Sequence, residues 1–483
     1  MNYRLIIKLL GSILLLEATT MLPSLFIALH CGDGDATAFI WSILIAAASG
    51  LPAALLSKPE KNDLRFKEGF LTVALAWVML SVFGCLPFVF SGVLPKFVDA
   101  LFETVSGFTT TGASVLANID GQMRGIMFWR SFTHWIGGMG VLVLTLAILP
   151  SGVGRATHLM RAESPGPEFS KLLPKTGNSA KLLYLLYGVM TIIEFVLLLI
   201  AGLSPYDAAI HAMGTAGTGG FSNFSLSVGA FDNPAVHWII TTFMVLFSIN
   251  FALYYRMLTG HFRDALRSEE LHWFLAIFLG TSTIITLNIL PLYGDLATAL
   301  RYSLFQVSSI MSTTGFATTD FNLWPQASKM LILILMFIGA CAGSTAGGVK
   351  VVRIALLCKQ SLKSIGRSFR PRHVSVVHFE GRPVDRDKLS QIFIFFFAYF
   401  ALMLIGAFLL CLEGLYDFET NFTAALTCIS NVGPGFGAVG PMGSFSGYSS
   451  ASKLLLSLLM LAGRLEIFPI LALFHPGMWR KAN

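Results

Sequence analysis

Four times along this chain a short apolar stretch runs into a knot of threonine and glycine, each time between two longer apolar runs. The stretches are KFVDALFETVSGFTTTGAS from Lys96, SPYDAAIHAMGTAGTGGFSN from Ser204, LRYSLFQVSSIMSTTGFATTD from Leu300 and YDFETNFTAALTCISNVGPGFG from Tyr416. A helix needs about 20 apolar residues to cross the hydrocarbon core of a bilayer, and the apolar part of each stretch falls short of that. Each reads as a re-entrant half-helix followed by a Gly/Thr-rich strand. Irregular backbone is tolerated at membrane depth only where it is buried in protein or lines a water-filled cavity, because lipid cannot satisfy its N–H and C=O groups. Four such segments need a common home, and a ring around one axis supplies it.

The unit of span, half-helix, strand and span recurs at roughly 100-residue intervals. Aligning the loops brings TTGA, TGGF, TTGF and NVGP into one register. In the second copy either Gly219 or Gly220 fits the aligned place, and the Gly-Phe pair shared with the third copy (Gly220-Phe221, Gly315-Phe316) selects Gly220. The matched glycines are then Gly112, Gly220, Gly315 and Gly433. Before them stand Thr111, Gly219, Thr314 and Val432, and before those Thr110, Thr218, Thr313 and Asn431. A ring of glycine-centred strands can turn carbonyl oxygens inward in place of a cation's water shell, with glycine supplying backbone angles closed to other residues. Each half-helix points its partly negative C-terminal end at the same cavity, which suits a cation and not an anion. Asp99, Asp120, Asp207, Asp232, Asp320, Asp417 and Glu419 either add negative potential at the outer mouth or serve as solvated loop charges.

The rest of the chain agrees with a membrane setting. Hydrophobic residues make up 55%, charged residues only 12%, and mean hydropathy is +0.72, outside the range of soluble domains. Apolar runs near 5–29, 38–57, 69–93, 125–150, 181–203, 236–257, 272–293, 328–349, 390–413 and 452–475 give ten candidate spans. The formal charge of +7 is spread over alternate loops rather than gathered in one patch, which argues against nucleic acid. Lys58, Lys61, Arg65 and Lys67 fill one loop; Arg155, Arg161, Lys171 and Lys175 another; Arg256, Arg263 and Arg267 a third. The densest block runs from Lys350 to Lys388. By the positive-inside rule these loops and both termini are cytoplasmic. Arg4 and Lys8 before the first run also suit a signal peptide, but the run is longer than a signal core and its removal breaks the alternation. The six cysteines lack CxxC spacing and mostly sit in apolar runs, as packing residues do.

The fourfold pattern resembles the Trk/Ktr/HKT superfamily of potassium transporters, most closely its bacterial TrkH/TrkG type. The match covers residues 69–475, and residues 1–57 are similar to the extra two-helix segment of that type. The resemblance implies an all-α polytopic membrane protein with four span/half-helix/filter/span repeats in pseudo-fourfold symmetry around one pore, plus two extra N-terminal spans. Its parts would be residues 1–57, pore repeats 69–150, 181–257 and 272–349, a basic cytoplasmic linker 350–389, and a fourth repeat 390–475. It further implies a homodimer in the bacterial cytoplasmic membrane, K+ as the transported ion, no cofactor on this chain, and a cytosolic TrkA-type nucleotide-binding regulatory subunit. The filter carries over onto Thr111-Gly112, Gly219-Gly220, Thr314-Gly315 and Val432-Gly433, with Thr110, Thr218, Thr313 and Asn431 leading into it. Some HKT members replace the first filter glycine with serine and favour sodium, so Gly112 implies potassium. The fourth copy departs most, with Asn431-Val432 for Thr-Thr and Pro434 after the glycine. One glycine per strand, against two in Thr-Val-Gly-Tyr-Gly filters, implies fewer ordered ion sites and looser selectivity.

The run 328–349 ends in GACAGSTAGG, Gly339 to Gly348, where neither large side chains nor helix propensity hold the backbone. Small residues let membrane helices pack closely. The resemblance offers a second reading, an intramembrane gate loop under the filter that includes Gly343, Ser344, Thr345, Ala346, Gly347 and Gly348. Arg464 lies in the middle of the last run, where insertion scales put such a charge at about 2.5–3.5 kcal/mol, so it should face the interior. Its five donors suit it to hold loop carbonyls while its charge opposes a cation in the closed pore; an ion pair with Glu466 is the alternative. Lys350 and Arg353 open a stretch that is either a lever for a regulatory partner or a positive-inside linker. Glu17 and Glu194, also in apolar runs, receive no role.

Scattered histidines, no phosphate-binding or dinucleotide motif and no nucleophilic triad point away from an enzyme. The expected function is potassium uptake through a channel-like pore. Its rival is an ion-coupled (H+ or Na+) alternating-access transporter, since broken helices mark those folds too; such proteins usually show two inverted halves rather than four same-direction repeats.

Overall fold

In the computed structural model the described residues are 2–57, 66–140, 176–369 and 376–474. The N-terminal segment is α1 (Tyr3–Thr20), α2 (Leu22–Cys31) and α3 (Ala36–Leu56). Helices α1 and α3 meet at Gly11 and Gly50, where a Cβ on Gly50 would lie 2.9 Å from the Gly11 carbonyl oxygen. Such small-residue contacts let membrane helices approach closely.

The first repeat is α4 (Phe66–Gly84) with its extension α5 (Leu86–Phe90), half-helix α6 (Phe97–Phe108) and inner helix α7 (Arg124–Gly138). The second is α8 (Thr176–Ile200), half-helix α9 (Pro205–Ala216) and inner helix α10 (Pro234–Ser248), from which α11 (Phe251–Leu258) turns by 90°. After the short α12 (Phe262–Leu266), the third is α13 (Glu269–Tyr293), half-helix α14 (Leu296–Met311) and inner helix α15 (Gln326–Ile338). The amphipathic α16 (Val351–Phe369) and a two-strand hairpin, β1 (His378–Phe379) with β2 (Arg382–Pro383), lead to the fourth repeat. That repeat is α17 (Arg386–Glu413), half-helix α18 (Phe418–Ser430), inner helix α19 (Ser450–Arg464) and a last α20 (Phe468–Phe474).

Three half-helices begin on side-chain caps legible in the sequence. Ser204, Asp295 and Asp417 accept the N–H groups of Asp207, Thr298 and Thr420, satisfying donors that a helix start leaves free. The long outer helices leave large apolar side chains uncovered, among them Ile192 on α8 and Phe397 and Phe408 on α17. Lipid is the solvent that suits such faces.

Among the described residues six helices are long and apolar enough to cross a bilayer, or seven if α10 and α11 form one bent span. Among the described residues the ten apolar runs do not all make long helices, because the second runs of the second, third and fourth repeats break. Runs 236–257, 328–349 and 452–475 are continuous in composition, yet their inner helices stop at Ser248, Ile338 and Arg464. The end of run 125–150, the basic loops 58–65 and 141–175, residues 370–375 and the C-terminal residues from His475 lie outside the described residues.

Candidate functional site

All four half-helices end alike. Thr110, Thr218, Thr313 and Asn431 have φ from +53° to +57°, a left-handed region that β-branched threonine seldom enters. The following N–H groups, of Thr111, Gly219, Thr314 and Val432, bond back at 2.8–3.0 Å to the carbonyls of Ser106, Gly214, Ser309 and Thr427. This is a Schellman closure with Thr or Asn in glycine's usual place. Such a conformation costs of order 1–3 kcal/mol per residue and persists only where neighbours hold it. Gly112, Gly220, Gly315 and Gly433 then take φ of +81°, +73°, +82° and +102°; Gly219 is not among the positive-φ residues.

The four glycines explain how the strands meet. A Cβ on Gly112 would overlap the carbonyl oxygen of Gly219, one on Gly220 that of Thr314, and one on Gly315 that of Val432. A Cβ on Gly433 would lie 2.7 Å from the carbonyl oxygen of Thr111. Strand one thus touches strand two, two touches three, three touches four, and four returns to one. The ring closes in chain order, and each glycine admits its neighbour's carbonyl.

Side chains are engaged behind the ring. The hydroxyls of Thr111 and Thr314 pair with those of Thr109 and Ser312 at 2.8 and 2.7 Å. Asn431 Nδ2 donates to Thr111 Oγ1 and to the Met460 carbonyl, both at 2.9 Å. In the second strand the place of a threonine side chain is taken by His134 of α7, whose ring a Cβ on Gly219 would overlap. His134 Nδ1 donates to the Gly107 carbonyl at 2.8 Å, and its ring packs 4.1 Å from that of Phe221.

Beneath the ring lies the segment Gly339–Lys350, which separates α15 from α16. The Gly347 N–H donates to Thr313 Oγ1 at 2.7 Å, tying this loop to the base of the third strand. Gly347 also faces the fourth strand, where a Cβ would sit 2.6 Å from the Ser430 carbonyl. Helices leave their last carbonyls unsatisfied, and the loop takes those of α10: Cys341 N–H bonds the Ser248 carbonyl at 3.2 Å and Thr345 Oγ1 that of Phe247 at 3.3 Å. Ala342 N–H is held by the Glu270 carboxylate at 2.6 Å. Gly343 and Ser344 form the more exposed turn, whereas Thr345, Ala346 and Gly347 are buried.

Arg464 crosses this floor. It donates to the carbonyls of Thr345 at 2.9 Å and Gly138 at 2.8 Å, and also to that of Gly137. One guanidinium from the fourth repeat therefore joins the loop of the third to the end of α7 in the first. Glu466 pairs with Arg353, whose guanidinium also bonds the Val349 carbonyl at 3.0 Å and lies 4.0 Å from the centre of the Phe395 ring. Lys350 donates to the Ala346 carbonyl. Lys350 and Arg353 are both buried, Lys350 bonded to the loop and Arg353 joining its end to Glu466 and Phe395 of the fourth repeat.

Most of the outer acids have partners within the protein, some of them in another repeat. Asp99 pairs with Lys453 at 2.6 Å, Asp207 accepts from Asn223 at 2.7 Å, and Asp120 and Asp320 accept backbone N–H groups. A polar layer outside the ring escaped the sequence reading: Glu103, His211, Gln306 and Thr423, on the four half-helices, each bond the chain just beyond their own glycine. Three of them stand nine residues before that glycine (112 − 103, 220 − 211, 315 − 306), a spacing the alignment contains.

Four re-entrant half-helices closing one glycine-centred ring define a multi-pass membrane transport protein, not an enzyme. The TrkH family, described as a cation transport protein, matches residues 36–286 and 271–481, and the chain belongs to that family. It is 36% identical over 488 aligned residues to the Trk system potassium uptake protein TrkH of Salmonella typhimurium, covering 100% of both chains. It is 34% identical to the Trk system potassium uptake protein TrkG of Escherichia coli, with 99% of each covered. The crystal structure of the potassium transporter TrkH from Vibrio parahaemolyticus superposes with a TM-score of 0.89 at 34% identity, over 99% of this chain and 100% of that one.

Proposed function

We propose that this chain takes up potassium across a bacterial cytoplasmic membrane through a channel-like pore whose filter is the ring of strands at Gly112, Gly220, Gly315 and Gly433. The observation that carries the reading is ring closure, in which each glycine receives the carbonyl of the next strand. With the hydroxyls of Thr111 and Thr314 bonded to Thr109 and Ser312, the main-chain oxygens of the strands are the groups that replace an ion's water shell. The potassium uptake proteins that the chain resembles along its whole length support the choice of ion.

The gate in this reading is the loop Gly343–Gly348 held by Arg464. The loop fills the space under the ring and is itself fixed by hydrogen bonds that one displacement would break together. The guanidinium's charge opposes a cation there while the loop is closed. The chain works as a homodimer with both termini cytoplasmic, under control of a cytosolic TrkA-type nucleotide-binding subunit. Exposed Leu362, Ile365 and Phe369 on α16, with half-buried Lys363 on the same helix, offer that partner a mixed apolar and positive face.

Rubidium uptake into vesicles holding only the purified chain tests the function. Flux selective for rubidium over sodium is expected, and Gly112→Ser should lower the ratio. Equal flux of the two ions in the wild-type chain would sink the potassium reading, and an unaltered ratio in the variant would sink the filter assignment. Single-channel currents far above carrier turnover would exclude alternating access.

A further inference from the structure

Behind the first two strands sits an ion pair that neither the filter nor the gate uses. Glu103 on α6 and Arg130 on α7 meet at 2.6 Å with side chains 0% and 2% exposed. Glu103 also accepts the Val115 N–H at 2.8 Å and the Ser114 hydroxyl at 2.9 Å, just past Gly112. Arg130 donates to the Ser222 carbonyl at 2.9 Å, just past Gly220, and its guanidinium lies 3.5 Å from the centre of the Phe221 ring. The Ser222 hydroxyl is held in turn by His211 Nε2 at 3.0 Å. One buried pair thus ties the outer arm of strand one to that of strand two.

We propose that Glu103 and Arg130 are positioning residues that set ion specificity, acting as a brace that fixes the spacing of the first and second filter strands from behind. This rests on the filter reading given above. A buried ion pair is seldom the most stabilising filling for its site, since apolar residues of similar volume often serve as well or better. What an apolar pair lacks is the ability to grip two strands through an N–H, a hydroxyl and a carbonyl at once. In the third and fourth repeats the corresponding contacts are neutral and stay within the repeat: Gln306 Nε2 to the Thr319 carbonyl at 3.2 Å, and the Phe436 N–H to Thr423 Oγ1 at 2.9 Å. Discrimination between two monovalent cations needs carbonyls that do not collapse onto the smaller one. The charged side of the ring is where that stiffness is concentrated.

The test is the rubidium-to-sodium flux ratio of purified full-length chain in vesicles, with the double variant Glu103→Gln/Arg130→Met as the main probe. It removes both charges together and avoids the unpaired buried charge that either single change leaves. The expected ratio is lower by about fivefold, the equivalent of one net hydrogen bond of about 1 kcal/mol. Arg130→Lys keeps the charge but has no planar fork to serve Glu103 and Ser222 together, so an intermediate ratio is expected. An unchanged ratio in folded double variant, or flux of both ions lowered in proportion, would overturn the brace; if that variant does not fold, an unchanged ratio in Arg130→Lys would do so. Gly112→Ser run alongside separates the two claims. A shift there without one in the brace variants removes only the brace, and no shift in either removes the filter reading as well.

Discussion

The ring and the floor beneath it come from the same four repeats, yet they obey different symmetries. In the ring every repeat makes the same turn, with a left-handed Thr or Asn, the same backward hydrogen bond and a positive-φ glycine against its neighbour's carbonyl. In the floor the inner helices α7, α10, α15 and α19 are all short, at 15, 15, 13 and 15 residues, but the last three of them end differently. One turns by 90°, one opens into the long loop, and one ends on Arg464 followed by left-handed Glu466 and Ile467. A spherical ion asks for equivalent ligands, so symmetry is retained where the ion would be held. A switch asks for one moving part with the others as its frame. In the proposed gate the loop of the third repeat is that part; it is seated on carbonyls of α10 and tied to those of α7 through Arg464.

The equivalence of the strands is broken most severely by a methyl on the ring. Gly315→Ala places a Cβ against the Val432 carbonyl at φ +82°, a strain of about 1–3 kcal/mol before the overlap is counted. Rubidium uptake should fall by about fivefold or more, the factor to which the lower end of that strain, about 1 kcal/mol, corresponds. Gly220→Ala should behave alike, and a normal rate in either would show that the strands are not equivalent.

The floor gives the next largest effect, of opposite sign. Arg464→Ala frees the carbonyls of Thr345, Gly137 and Gly138, and bonds to a charged donor are worth about 1.5–3 kcal/mol each. Basal flux without a regulator should rise; unchanged or lower flux in folded protein contradicts the gate. Gly219→Thr sharpens the one exception in the ring. It should depress the Tm of the purified chain because His134 occupies the space, and Gly219→Thr/His134→Ala should recover part of that loss. A coupling of about 0.5–3 kcal/mol is typical of residues in direct contact, and no recovery would show that the imidazole does not merely fill the missing side chain's place. The smallest effect belongs to Thr313→Val, which deletes the acceptor for the Gly347 N–H, worth about 1 kcal/mol. Basal flux should rise by less than in Arg464→Ala.

The ring was legible because its chemistry is local. Gly, Thr and a preceding apolar stretch recur in register, and choosing Gly220 needed only the Phe beside it. The floor was half legible. Arg464 announced itself as a charge in an apolar run, and the Gly-rich loop as a run without helix propensity. The partner of Glu466 was not readable, since Arg353 is distant in sequence and no periodicity relates them. The break after α10 had a signal that apolarity masked: Asn250 caps α11 through the Ala252 N–H. Glu103 and Arg130 went unremarked because nothing in the repeat pattern pairs a half-helix acid with a base 27 residues on, and only the fold shows that they meet and bond the chain just past Gly112 and Gly220.

Thallium anomalous scattering from crystals of the full chain tests the central claim most directly. Density on the ring axis, level with Gly112, Gly220, Gly315 and Gly433 and within coordinating reach of their strands' carbonyls, is the expected result. Density confined to another part of the protein, with the axis empty at saturating thallium, would contradict it.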